Sequence, residues 1–240
     1  MAINVTIWNE FIHERRSEEV AAIHPEGLHN TLKSFLQSDE INVTCVTLDM
    51  ENNGITDELL DNTDVLIWWG HMAHDKVLDE VAVKVRDRVY AGMGFLPLHS
   101  AHHSKPFKLI LGCTGNLSWG RDQRAIVWNV NPTHPIAAGV PAHFELFEEM
   151  YGEPFFIPKP DDLIFATWYE DGNIFRGGAT FTRGLGKIFY FHAGHEYCKS
   201  FYDPNVQTII KNAVKWCAPI KLQDGFVTDG CIHQTEPVIK

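Results

Sequence analysis

Residues 64–69, DVLIWW, are almost unbroken in their apolar character. A strand that faces water on one side alternates, whereas one buried on both sides does not, so this run predicts a central strand of a parallel sheet covered by helices on each face. Comparable short runs recur at 3–8 (INVTIW), 42–48 (NVTCVTL), 94–99 (GFLPLH) and 187–192 (KIFYFH). Stretches of helical period lie between them. Pro25 opens EGLHNTLKSFLQ, whose Leu28, Leu32, Phe35 and Leu36 share one face, and Thr56 caps TDELLDN. Val77, Val81, Val85 and Val89 repeat every four residues up to Gly92. The closing helix, DPNVQTIIKNAVKWCAP, turns Val206, Ile209, Ile210, Ala213 and Cys217 inward. Between 113 and 182 the pattern loosens: RAIVWNV, DDLIFATWYE and NIFRGGATFTRG predict antiparallel strands that elaborate one edge of the sheet. A single α/β domain over 1–240 follows, with residues 219–240 as an extended arm.

The 240 residues are 45% hydrophobic, enough for one full core. With 31 acidic against 20 basic residues, a net charge of -11, the surface repels polyanions. Nucleic acid and membrane are therefore excluded as expected partners. No apolar stretch approaches the ~18 residues of a membrane span, and the first residues lack a signal-peptide pattern, so a cytoplasmic location is expected. Five cysteines without a CxxC pair point to reduced thiols. Cys45 and Cys217 fall in apolar patterns; Cys198, beside a histidine cluster, is the one candidate for reactivity. Apolar runs in the edge insertion predict a homo-oligomer.

Ligands of open α/β sheets bind beyond the carboxyl ends of the strands, which makes the placing of the 13 histidines informative. The first strand runs into Glu10 and His13, and the third into Trp69, His71 and His74. The fourth ends at His99, His102 and His103; the KIFYFH strand ends at His192, His195 and Glu196. Imidazoles gathered at one sheet edge suit metal binding or acid/base chemistry. The predicted ligands are His71, His99, His102 and His195, around a divalent ion with zinc the first candidate. Glu149, in FEEMYGEPF, is the carboxylate expected to serve as acid, base or further ligand. Trp68, Trp69, Trp119, Trp168 and Tyr151 could stack on a sugar ring, with Trp69 and Tyr151 the first candidates; Arg176 has five donors for a polar substrate, and Glu10 and His13 complete the expected substrate-binding group.

Nucleophilic chemistry has one foothold. PLHSAH resembles a nucleophile elbow without its flanking small residues; His99 stands at the nucleophile position, and Ser100 follows it as the candidate of an acyl-hydrolase reading. No GxGxxG follows the first strand and no P-loop occurs, so no nucleotide cofactor is expected.

The segments DVLIWWGHMAHDKV, GMGFLPLHSAHHSKPFKLILG, HPIAAGV, EEMYGEPFFIP and GKIFYFHAGHEYCKSFYDPNVQTIIKNAVKWCAP resemble the ThuA-like, trehalose-utilisation family, in order and over nearly the whole chain. The resemblance implies a flavodoxin-like three-layer α/β/α sandwich related to class I glutamine amidotransferases. In those enzymes an elbow cysteine works with a distant histidine. Here the elbow matches His99, and the histidine matches His192 or His195. Glutaminase activity is thus not expected. The resemblance implies catabolism of trehalose or a related disaccharide through 3-keto sugars, alongside an oxidoreductase partner. Two functions follow as expectations. One is an enzyme using His99, His195 and Glu149 on a carbohydrate; the other is a sugar-binding or regulatory module without chemistry.

Overall fold

The computed structural model describes residues 2–220. The arm expected over 219–240 lies outside the described residues from 221 onward, as does Cys231. The parallel half of the sheet consists of β1 (Ile3–Asn9), β2 (Ile41–Thr47), β3 (Val65–Trp69) and β4 (Gly94–Leu98). Four longer strands follow: β5 (Ser118–Asn129), β6 (His143–Gly152), β7 (Asp162–Tyr169) and β8 (Ile174–Arg183). The last is β9 (Gly186–Phe191). These nine form one sheet in the order β2-β1-β3-β4-β9-β8-β7-β5-β6. Pairing is parallel from β2 through β9 and antiparallel from β9 outward, so the edge elaboration continues the same sheet.

Seven α-helices occur among the described residues. They are α1 (His13–Arg16), α2 (Glu18–Ile23), α3 (Leu28–Leu36), α4 (Asp57–Asp61), α5 (Asp79–Tyr90), α6 (Lys105–Leu111) and α7 (Pro204–Cys217). The strand period of two sorts side chains to the two faces. Val5, Ile7, Val65, Ile67 and Trp69 pack against α3 and α7, while Trp8, Leu66 and Trp68 pack with α4, α5 and α6. That sorting makes the predicted three-layer sandwich. Capping agrees with the sequence at both helices where it was readable: Thr56 accepts from the Leu59 amide, and Asp203, before Pro204, accepts from Asn205 and Val206.

Four local points differ from the reading of the sequence. Residues 13–23, assigned no structure from the sequence, form two short helices. The following helix starts at Leu28, after Gly27 rather than at Pro25, because the buried Glu14 carboxylate accepts the Leu28 amide at 2.9 Å. Val77 lies before α5, buried in the turn. The segment around Glu148 and Glu149 is the strand β6 rather than a loop; charged residues at inward positions broke the alternation that would have marked it.

Candidate active site at the carboxyl edge of the sheet

Every parallel strand from β1 to β9 sends its chain out on one side of the sheet, and four of these exits meet. The turn after β3 is shaped by Glu10, just past β1. Its buried carboxylate accepts the amides of His71, Met72 and Ala73 at 2.9–3.1 Å. Glu10 is therefore spent on holding His71 in place, and the expected substrate contact is corrected on that ground.

At the end of β4 the backbone of His99 adopts φ 49°, a left-handed conformation that few side chains tolerate. It is the sharp strand-to-turn geometry of an elbow. Three contacts hold it. The His192 carbonyl accepts from Nδ1 (2.9 Å), the Tyr190 hydroxyl donates to its carbonyl (3.1 Å), and the ring stacks on Tyr151 with centroids 4.9 Å apart. Nε2 is left facing Glu149 Oε2 and the Tyr151 hydroxyl, each at 3.2 Å. Burial opposes a charge on His99, yet the carboxylates of Glu149, Glu148 and Glu196 together raise its pKa to about 9. Burial likewise opposes the Glu149 charge, and His99, with His195 and His71 behind it, holds that carboxyl below its ordinary range. The pair is ionic at neutral pH.

Adjacent residues of β6 point to opposite faces, so Glu148 and Glu149 have different tasks. Glu148 is fully buried and accepts from the Gly194 amide (2.9 Å), the His195 amide (2.9 Å) and the Ser200 hydroxyl (2.5 Å). It pins the segment after β9. His195 from that segment lies with its ring 5.2 Å from His99 and 5.9 Å from His71. Asp122 Oδ1 sits 2.8 Å from His195 Nδ1. A bulge in β5 between Trp119 and Asp122 supplies an extra residue there, the device by which sheets re-aim a side chain. Glu196 is buried, with His71 Nδ1 at 2.9 Å and His13 Nε2 at 3.2 Å from one of its oxygens. Burial opposes its charge, but the surrounding histidines hold its pKa at about 2.

A cleft of about 210 Å³ opens onto this group, lined by His71, Ser100, His102, His103, Glu149, Tyr151, Leu117 and Trp119. The structure thus brings together His13, His71, His99, His195, Glu149 and Tyr151. Several expected residues do not serve as predicted. Trp69 is fully buried and its indole donates to the Gly194 carbonyl at 2.9 Å, which leaves no ring face for a sugar. Trp119, 71% exposed at the cleft, offers one instead. Arg176 is committed elsewhere: Nε and Nη2 donate to Glu153 at 2.7 and 2.9 Å and Nη2 also to the Phe155 carbonyl, so it braces the chain outside the cleft lining. Ser100 lines the cleft, but its hydroxyl donates to the Gly70 carbonyl at 2.9 Å rather than to a base. The buried His102 directs Nδ1 at the Gly115 carbonyl, 2.6 Å away, and stands apart from the other expected ligands. Cys198 is buried, and desolvation, with Glu148 and Asp122 nearby, pushes its thiol far up, the opposite of an activated thiolate. Sequence reasoning passed over Asp122 and undervalued Glu196. Glu196 had a signal, its place after the KIFYFH strand; Asp122, in mid-strand, had none.

Of the two histidines that could match the amidotransferase one, His192 is structural. Its ring is enclosed, with Gly177 O and Thr167 Oγ1 each 3.2 Å from its nitrogens, and burial lowers its pKa to about 3. Burial lowers that of His24 to about 4. Both stay neutral in the fold yet take up protons near pH 6.5 when unfolded. Between pH 6.5 and about 4 the unfolded chain binds more protons, so stability falls as pH falls, by roughly 1 kcal/mol or slightly more per pH unit for each. Urea midpoints are expected to be lower at pH 5 than at pH 7.5, and His24→Phe to flatten the slope. A midpoint that rises on acidification would contradict this.

Among the described residues no helix is long and apolar enough to cross a membrane. A search of curated proteins finds no match. Solved structures share the fold at low identity. A ThuA-like protein of Parabacteroides merdae is 16% identical with a TM-score of 0.71, 96% of each chain being covered. A cytoplasmic protein of Salmonella typhimurium gives 13% and 0.62 over 90% of this chain and 99% of its own. A glutamine amidotransferase of Thermotoga maritima gives 14% and 0.52 over 82% and 77%. The family described as ThuA, trehalose utilisation, matches residues 4–217, and the chain therefore belongs to the ThuA family, a membership that suggests a role connected with the use of trehalose.

Proposed function

We propose that the protein is a carbohydrate-processing enzyme that acts on a disaccharide or its 3-keto derivative by proton transfer in the cleft beside His99. The observation that carries this reading is the elbow itself. A left-handed backbone, a committed Nδ1 and a stacked ring aim one imidazole nitrogen at Glu149 and Tyr151 on the cleft wall. Such fixed, converging groups suit a reaction in which charge develops on a carbonyl oxygen.

For a 3-keto sugar, a Glu149 oxygen removes the proton alpha to the ketone. The C–H electron pair moves into the new C–C double bond, and the negative charge that forms on the ketone oxygen, now an enolate, is offset by the buried His99 imidazolium behind Glu149. Reprotonation or loss of a leaving group then completes an isomerisation or a cleavage. The 3-keto group arises by hydride removal from a secondary alcohol, which this reading assigns to a separate oxidoreductase. A cytoplasmic location is part of the proposal, in line with the wording attached to the Salmonella protein.

The test is proton–deuterium exchange and product formation with 3-keto-trehalose, followed by NMR. Wild-type protein is expected to exchange and convert it, and His99→Ala to do neither. Full turnover by His99→Ala, or saturable binding by the wild type without exchange, overturns the enzyme reading. Trp119→Ala is expected to raise KM by up to about tenfold with little change in kcat, the scale of one lost aromatic contact. Steady-state kinetics on the same sugar checks this, and an unchanged KM removes Trp119 from the binding surface.

A further inference from the structure

We propose that Glu196, His13 and His71 form a binding site for one divalent first-row transition ion, with zinc the preferred metal and His195 at its rim. Three segments that leave different strands meet here: α1 after β1 brings His13, the turn after β3 brings His71, and the turn after β9 brings His195 and Glu196. One oxygen of Glu196 lies 2.9 Å from His71 Nδ1, 3.2 Å from His13 Nε2 and 3.6 Å from His195 Nε2. Ligands bound at 2.0–2.2 Å in a tetrahedron stand about 3.4 Å apart. The separations of His71 and His13 from Glu196 lie close to that value, and the ligand atoms of these three residues all fall within 4.8 Å of one another, which leaves the fourth position to water. Imidazole with carboxylate is also the donor set of borderline ions such as zinc, rather than of calcium or magnesium.

The surroundings resemble the outer shell of such a site. Asp122 Oδ1, a buried oxygen without a hydrogen-bond partner, lies 2.8 Å from His195 Nδ1 beside the cluster. Glu10 secures the His71 turn through three amides, and Glu148 secures His195 through its own. The buried Glu196 carboxylate, held ionised among imidazoles, presents a charged oxygen for a cation. His99 is left out of the set because its Nε2, the nitrogen free to ligate, faces Glu149 and Tyr151. A bound ion would supply Lewis acidity to a sugar oxygen in the neighbouring cleft. The inference does not depend on the acid–base reading, since its ligands are other side chains and its readout is metal, not turnover.

The experiment is elemental analysis and zinc equilibrium dialysis of untagged protein purified without chelator. One zinc per chain is expected in the wild type and in His143→Ala, an exposed histidine far from the cluster in sequence that controls for surface binding. Glu196→Gln and His71→Ala, with unchanged circular dichroism, are expected to bind at least about 100-fold more weakly. Cobalt loaded into the wild type is expected to give the visible absorption of a four-coordinate ion. Wild type without zinc after dialysis, or Glu196→Gln with full zinc, overturns the site. If Glu196→Gln fails to fold, His13→Gln carries the same test. A protein that binds zinc but leaves keto sugars untouched would keep this site and refute the enzyme reading.

Discussion

Glutamine at position 149 is expected to lower the turnover of 3-keto-trehalose by about 10²–10⁴-fold, the usual contribution of a positioned acid or base. The substitution keeps the shape of the side chain but removes its charge and its capacity to take a proton, so the buried ion pair with His99 is lost. His99 keeps its Nδ1 bond to the His192 carbonyl and its stacking on Tyr151, so the elbow survives. The loss should therefore fall on kcat more than on KM, with a lower melting temperature but a retained fold. Kinetics with a thermal melt on the same preparation separates the cases. Turnover within threefold of wild type would remove Glu149 as the base, whereas a lost fold would make it a structural residue.

The neighbouring residue carries the larger structural effect. Glu148→Gln is expected to destabilise the protein by about 3 kcal/mol or more, because hydrogen bonds to a buried charge are worth ~1.5–3 kcal/mol each and several are affected. Glutamine is not a mild replacement here. One Glu148 oxygen accepts from Gly194 N and Ser200 Oγ, the other from His195 N and Glu149 N. Whichever way the amide is turned, its NH₂ meets donors and leaves them without an acceptor. A fall of roughly 6–12 °C in melting temperature follows for a chain of this size. The segment after β9 should loosen with it, so catalysis and zinc affinity should fall together. A melting temperature within 2 °C of wild type would show that Glu148 is not the pin assigned to it.

The two glutamates also mark where sequence reasoning stops. A charged pair in a loosely patterned stretch reads as a solvated loop, since hydrophobic alternation is the signal for a strand and Glu148 breaks it. In the fold that position faces inward and is satisfied by donors 46, 47 and 52 residues away. Trp69 and Trp119 could not be told apart for a related reason. Both are aromatic and near expected loops, but only packing tells which ring is sealed under the Gly194 carbonyl and which is left open to the cleft. Arg176 looked available because its partner, Glu153, lies 23 residues earlier in the chain.

The sequence by itself determined the layered α/β architecture, the parallel half of the sheet and the gathering of histidines along one edge. Burial on both faces, helical period and strand-end position are written in local order, and parallel strands must all exit on the same side. Only the tertiary structure decided which atoms meet. His71 reaches Glu196 across 125 positions and His99 reaches Glu149 across 50, through a left-handed elbow and a strand bulge. Hydrophobic periodicity reports how deeply a residue is buried, but the choice of partner depends on the angle at which separate segments leave the sheet, and no local pattern encodes that angle.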